Sequence, residues 1–281
     1  MSKQKRRIFI VVWLIVLVLL LAGALLIGPS GEEQEALNAT MRDAVLHEEN
    51  RVSLFGLIEV NPALISAFTV TGILLVVSAC IRIFVIPRFQ YVPGRFQMLL
   101  EELVNFFDNL AKSNSPHRNR FLSVYIFAAG IYIFVGTFFE LFGVQAITTS
   151  GRSVALPAPL SDINGAICMG CLSYLIILSG GIASNGLRGV GLTLKEFSLP
   201  ISMSFRLFGA LLSGLLVTEL VYYALPLSIG LPVIVGLMFT LLHALIQTYV
   251  LIMLTALFYG EVTEPHPKKT KPARRSAGSA N

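Results

Sequence analysis

The chain has 281 residues, 55% of them hydrophobic and 13% charged, with a mean hydropathy of +0.76. Soluble domains carry about 25% charged residues, and the charge here sits in short clusters between long apolar runs, which is the pattern of a membrane protein. The net charge of +5 therefore belongs to loops, and the basic face on a folded domain that nucleic-acid binding requires is not there.

Six apolar segments follow in chain order, at 8–28, 63–86, 121–145, 163–184, 197–225 and 231–259. A helix rising about 1.5 Å per residue needs about 20 residues to cross the hydrocarbon, and all six qualify. The fifth and sixth exceed a perpendicular crossing, so a long, tilted C-terminal hairpin is expected. The first follows Lys3, Lys5, Arg6 and Arg7. Although Ala22-Gly23-Ala24 resembles a cleavage site, the apolar run is longer than a signal core, and residues 1–28 read as a retained anchor.

Residues 29–62 carry Glu32, Glu33, Glu35, Asp43, Glu48, Glu49 and Glu59 against Arg42 and Arg51, and read as extracytoplasmic. Basic residues fill the alternate connections: the N-terminus, the stretch from Arg88 to Arg120, the loop with Arg188 and Lys195, and the tail with Lys268, Lys269, Lys271, Arg274 and Arg275. By the positive-inside rule both termini are cytoplasmic.

Between the second and third segments, Phe96, Leu99, Leu100, Leu103, Phe107 and Leu110 recur at three- and four-residue steps opposite Glu101, Glu102, Asn105, Asp108 and Asn109. This predicts an amphipathic helix at the membrane interface, either on the surface or beneath the bundle. Residues 63–260 form the membrane domain, and 261–281 read as a basic, disordered tail. The expected fold is an all-α polytopic bundle.

Ionisable residues inside apolar helices are costly and mark function by default. Arg206 lies about nine residues into the fifth segment, too deep to snorkel to a surface, and its guanidinium stays charged. Glu219 is thirteen residues on, about 220° around the helix and about 20 Å along it, so the two cannot pair directly. Ser202, Gly209, Ala210 and Ser213 lie on or beside the face of Arg206. Such a strip admits a close partner helix, here one carrying a carboxylate; packing within the chain is the alternative.

In the sixth segment His243, Gln247 and Thr240 form a polar stripe, suited to proton relay or to hydrogen-bonded packing. Glu140 lies near the outer end of the third segment. Cys80, Cys168 and Cys171 lie in apolar runs without the ligand set of a zinc site and read as packing residues. There is no internal repeat, nucleotide-binding motif or HExxH motif.

These residues carry a resemblance. Ser202-Met-Ser-Phe-Arg206-Leu-Phe-Gly209 followed by Gln247-Thr-Tyr-Val-Leu-Ile-Met-Leu-Thr255-Ala-Leu-Phe-Tyr259 resembles the last two helices of the subunit a family of bacterial rotary ATP synthases. Val92-Pro93-Gly94-Arg-Phe-Gln97-Met-Leu-Leu-Glu101 resembles its surface helix, and Pro159-Leu-Ser-Asp162-Ile-Asn164 the segment opening its next membrane helix. The similarity runs in order from about residue 60 to 260.

The resemblance implies a non-catalytic, cofactor-free stator subunit of a bacterial inner membrane, working against the c-ring and held by peripheral-stalk subunit b. Arg206 would face the ring as a barrier between two offset ion half-channels, with Gln247 beside it. Glu140, Asp162 and Asn164 match the outer entrance, and Glu196 the cytoplasmic exit with its register shifted by about a turn. Where many members have Asn and Glu, this chain has Ala210 and Leu215, and Thr240 stands in place of a frequent His. Glu219 and His243 are therefore read as replacing the usual pair at displaced positions. The coupling ion would be H⁺ or Na⁺. Two rivals predict different features: a transporter of an anionic substrate needs repeats or broken helices, neither legible in the sequence, and a scaffold would tolerate a neutral residue at 206.

Overall fold

The computed structural model describes residues 52–54, 58–147, 153–223 and 231–265. The expected anchor at 8–28 and most of the acidic 29–62 segment lie outside these residues, as does the tail from 266. Within them the chain is built almost entirely of helices, with two short antiparallel hairpins: β1 (Val52–Leu54) with β2 (Ile58–Val60), and β3 (Gln145–Ile147) with β4 (Ser153–Ala155).

Helix α1 (Pro62–Cys80) starts where Asn61 accepts a hydrogen bond from the Ala63 N–H at 3.0 Å and proline occupies the first helical turn, the position at which its missing N–H costs nothing. Its far end widens into a π-helical turn, Ile81–Val85, then a 3-10 turn, Ile86–Arg88. Pro87 explains the widening: its ring would strike the carbonyl four residues back, and a wider turn relieves that clash. After a short reversal comes α2 (Arg95–Asn114), the predicted amphipathic helix, with Phe107 and Ala111 buried.

Helices α3 (Asn119–Phe139), α4 (Ile163–Asn185), α6 (Ser198–Tyr223) and α7 (Leu231–Thr263) form the bundle. The α3 helix packs on α7, and α4 packs on both α6 and α7, while α2 crosses the start of α3. Leu122, Ile126, Ile133, Ile177, Met203, Leu207, Ile252 and Tyr259 are buried at its centre. Lipid tails give no hydrophobic drive between helices, so close approach of backbones matters more. The ring of Tyr259 of α7 occupies the place a side chain at Gly180 of α4 would need, and Ser204 of α6 does the same at Gly170. The α1 helix stands apart: it touches chiefly α3 and exposes Phe68, Leu75 and Val76, as the π-helical turn after it exposes Phe84.

Four helical stretches are long and apolar enough to cross a membrane: Pro62–Arg88, Asn119–Phe142, Ile163–Asn185 and Gly236–Thr263. The fifth crossing differs from the sequence expectation. Residues that read as a loop with Arg188 and Lys195 form a further amphipathic helix, α5 (Leu187–Lys195), joined to Ser198–Gly214 at a bend of 48°. Gly186 makes the reversal with φ +58° and ψ −135°, a conformation open to glycine alone. Beyond it α5 folds back along α4: Gly189 and Thr193 lie on Gly181, and the Tyr174 hydroxyl donates to the Thr193 carbonyl at 3.0 Å. The chain thus re-enters the bundle before residue 197. A bent helix pair, with the form of a broken span or a re-entrant turn, is thus present where the sequence read a loop.

Candidate functional site

The α6 helix has little amphipathicity to orient it, yet its two sides meet different surroundings. Met203, Leu207 and Leu211 are buried in the core, whereas Ser202, Phe205, Arg206, Gly209 and Ser213 are exposed and Ala210 is half-buried. Small residues give the first group of neighbours to Arg206 no bulk: nothing lies within 4 Å of where a Cβ of Gly209 would stand. Ser213 turns its hydroxyl inward, donating to the Ala210 carbonyl at 2.8 Å, which leaves the strip smooth. Among the described residues no carboxylate pairs with Arg206. A fixed cation thus stands on the outward face of a membrane helix, beside room for another backbone.

Gln247 of α7 reaches the same place from the other side. Arg206 and Gln247 border one narrow interstice between α6 and α7, closed by Met203, Leu207, Leu251 and Leu254. The Gln247 side chain is 5% exposed, and its Oε1 accepts no hydrogen bond. A buried carbonyl oxygen without a donor is costly, and it lies beside the guanidinium's fork of donors.

One turn earlier on α7, His243 packs over Gly214 of α6, where a Cβ would stand 3.4 Å from Nδ1, and stacks on Phe239 with ring centroids 5.8 Å apart. Gly214 thus makes the space for the displaced histidine. Glu219 lies further along α6, its side chain outside the described residues, and the expected Glu219–His243 partnership lies outside them with it.

At the end of α3, Glu140 opens a 3-10 turn that touches α7 and closes on Gly143. Pro159 packs on Gly136, 3.4 Å from its would-be Cβ, which holds the 159–164 segment against this end of α3. Asp162 is the N-cap of α4, but its carboxylate accepts no cap hydrogen bond, and Asn164 is exposed. The fold therefore gathers Glu140, Asp162 and Asn164 at one end. Thr137, one turn below Glu140, is 1% exposed with an unpartnered hydroxyl, and Thr248 beside Gln247 is likewise unpartnered. Sequence reading missed both threonines, because a threonine in an apolar helix usually satisfies itself on its own backbone.

Glu196 has moved furthest from expectation. It lies at the bend between α5 and α6, half-buried, with its carbonyl accepting from the Leu199 N–H at 2.9 Å. The Tyr174–Thr193 hydrogen bond sets this bend level with the middle of α4. Glu196 is thus placed at the turn where α5 passes into α6, beside the bundle. No group of metal-binding side chains occurs among the described residues.

The sequence matches the ATP synthase A chain family over residues 65–260. Among similar proteins is the ATP synthase subunit a of Shewanella amazonensis (strain ATCC BAA-1098 / SB2B), 26% identical over 205 residues, covering 62% of this chain and 78% of that protein. The match spans α1 to α7, including the exposed arginine on α6, the buried glutamine beside it and the bent helix pair, so the chain belongs to the ATP synthase A chain family, the multi-pass membrane stator subunits of F-type ATP synthases.

Proposed function

We propose that this chain carries H⁺ between two offset half-channels against a c-ring and so couples ion flow to rotation and ATP synthesis. Ions enter from the outer side past Glu140, Asp162 and Asn164, pass Glu219 and His243, and load a ring carboxylate. They leave to the cytoplasm past Glu196 on the other side of Arg206. The chain does no bond chemistry of its own. A deprotonated ring carboxylate is attracted to Arg206, whereas the protonated form is neutral and can enter lipid. The same cation bars direct passage from one half-channel to the other.

The exposed Arg206 on an otherwise smooth outward strip, Ser202, Gly209, Ala210 and Ser213, carries this reading. A permanent charge there requires a mobile counter-charge, and the strip leaves room for the ring helix that brings it. Gln247, with its free carbonyl oxygen, is suited to hold the guanidinium aimed outward. In this arrangement residues 63–260 are the membrane domain. Residues 1–28 anchor the chain and 29–62 lie outside the cytoplasm. Both termini and the 261–281 tail are cytoplasmic, in a bacterial inner membrane, with peripheral-stalk subunit b bracing the bundle.

ATP-driven proton pumping in inverted vesicles carrying Arg206→Ala tests the proposal, with assembly of the complex checked by co-purification of its subunits. The expected outcome is loss of pumping in an assembled complex. Undiminished pumping would remove the barrier role. The bent helix at Glu196 is also what a transporter of an anionic substrate would have. In that case Arg206→Ala would leave ring-driven pumping intact and abolish uptake of the anion.

A further inference from the structure

The reversal between α1 and α2 encloses a recess of about 410 Å³, well away from Arg206, lined by Phe84, Arg88, Phe89, Arg95, Phe96 and Gln97 among others. Its position is set by the chain: Pro87 ends the first described crossing, and α2 begins seven residues after Arg88 and is amphipathic along its length. Gln97 fixes the shape. Its Oε1 accepts from the Gln90 N–H at 3.1 Å and its Nε2 donates to the Gln90 carbonyl at 3.0 Å, so one side chain pairs with both backbone groups across the turn. The same Nε2 holds Glu101 at 2.7 Å, and Glu101 does not line the recess.

Also lining the recess are Arg88 and Arg95, neither of them ion-paired among the described residues, and the first turn of a twenty-residue helix whose Gly94 cap offers no side-chain acceptor. Both features favour an anion with several oxygens. The walls are apolar: Phe84 and Phe96 are 60% and 57% exposed and continue into the uncovered faces of α1 and α2. A polar, cationic floor at the level where a crossing helix meets an interfacial one, opening onto apolar surface, fits a phosphate headgroup with acyl chains rather than a free anion.

We infer that the recess between Arg88 and Arg95 binds the headgroup of an anionic phospholipid, which seats α1 and α2 at their shared membrane boundary. The inference needs the chain to cross a membrane and is independent of the half-channel assignment. The test uses the full chain in neutral detergent and measures binding of short-chain phosphatidylglycerol, of phosphatidylcholine with the same acyl chains, and of inorganic phosphate. Phosphatidylglycerol should bind saturably and about tenfold or more tighter than phosphatidylcholine. The paired change Arg88→Gln with Arg95→Gln should weaken it by about tenfold or more, whereas Arg88→Lys with Arg95→Lys should cost only a few-fold. Arg95→Gln alone reads the same loss if the paired variant does not fold, as judged by gel filtration.

Arg120→Gln is the control for diffuse surface charge, because Arg120 borders a separate basic recess with His117 and Arg118; it should change binding by less than about twofold. An equal loss with Arg120→Gln, or wild-type affinity after removal of both arginines, overturns the site. Inorganic phosphate binding as tightly as phosphatidylglycerol overturns the lipid. If the paired variant sheds a peripheral subunit from the assembled complex while its lipid affinity is unchanged, the recess is a protein interface and the inference fails.

Discussion

Where α4 and α7 end, polar side chains are tied to another helix, whereas near the opposite end and along the α6–α7 seam Thr137, Gln247 and Thr248 keep atoms without partners. At the first place Asn185 donates to the carbonyls of Val262 and Glu264 at 2.8 and 3.1 Å, and Ser115 shares a hydrogen bond with Thr263 at 3.1 Å. Arg118 reaches Ser184 at 3.5 Å. At the second, Thr137, Gln247 and Thr248 bury unpartnered atoms, and Asp162 declines its capping role. A membrane bundle gains little from hydrophobic burial between helices. Hydrogen bonds across helices therefore hold one end rigid, and free polar atoms at the other stay available to water and ions. On the proposed function, the difference is that between a fixed frame and an ion path.

The largest effect should come from forcing the frame apart. Gly180→Leu places a side chain inside the ring of Tyr259 and should destabilise the chain by about 3 kcal/mol or more, seen as loss of the monodisperse protein after detergent extraction. Next, Asn185→Leu removes both hydrogen bonds that close the end of α7. It should cost about 1–2 kcal/mol, read as a lower thermal midpoint in detergent, with pumping per assembled complex preserved.

Thr137→Val should do the reverse. Its hydroxyl has no partner to lose, so stability should change by no more than about 0.5 kcal/mol, while proton pumping falls several-fold. Unchanged pumping would return Thr137 to the frame and blur the contrast.

The smallest effect belongs to the surface of α2. There the hydrogen bond from Lys112 holds the Asp108 carboxyl below the usual carboxylate range, aided by Ser123. A depressed carboxylate contributes stability above its unfolded pKa and loses it as pH falls through the folded one. Because Lys112 is exposed and Asp108 only half-buried, solvent screens the pair. Asp108→Asn should leave the acid unfolding profile superimposable on the wild type.

Residue by residue, the legible parts of the site were those that violate the membrane's rule. Arg206 and Glu140 announce themselves because charge is expensive in hydrocarbon, whereas Glu196 was reached only through the family resemblance. Thr137 and Thr248 do not, since a hydroxyl's cost depends on whether a partner is near. Which side of α6 faces outward was likewise unreadable from hydrophobicity, because a lipid-facing leucine and a buried one look alike. The strip of small residues was the only clue.

Apolar length and interrupted charge were enough to determine a polytopic helical protein, the amphipathic α2 and the placing of Arg206 deep in a helix, because the bilayer imposes length and polarity on each segment separately. Tertiary structure decided the fold-back of α5 on α4, the level of Glu196, the meeting of Arg206 with Gln247 and the seating of His243 on Gly214. Those depend on which backbones approach most closely. That is settled by glycine-sized gaps and shared hydrogen bonds between segments far apart in the chain.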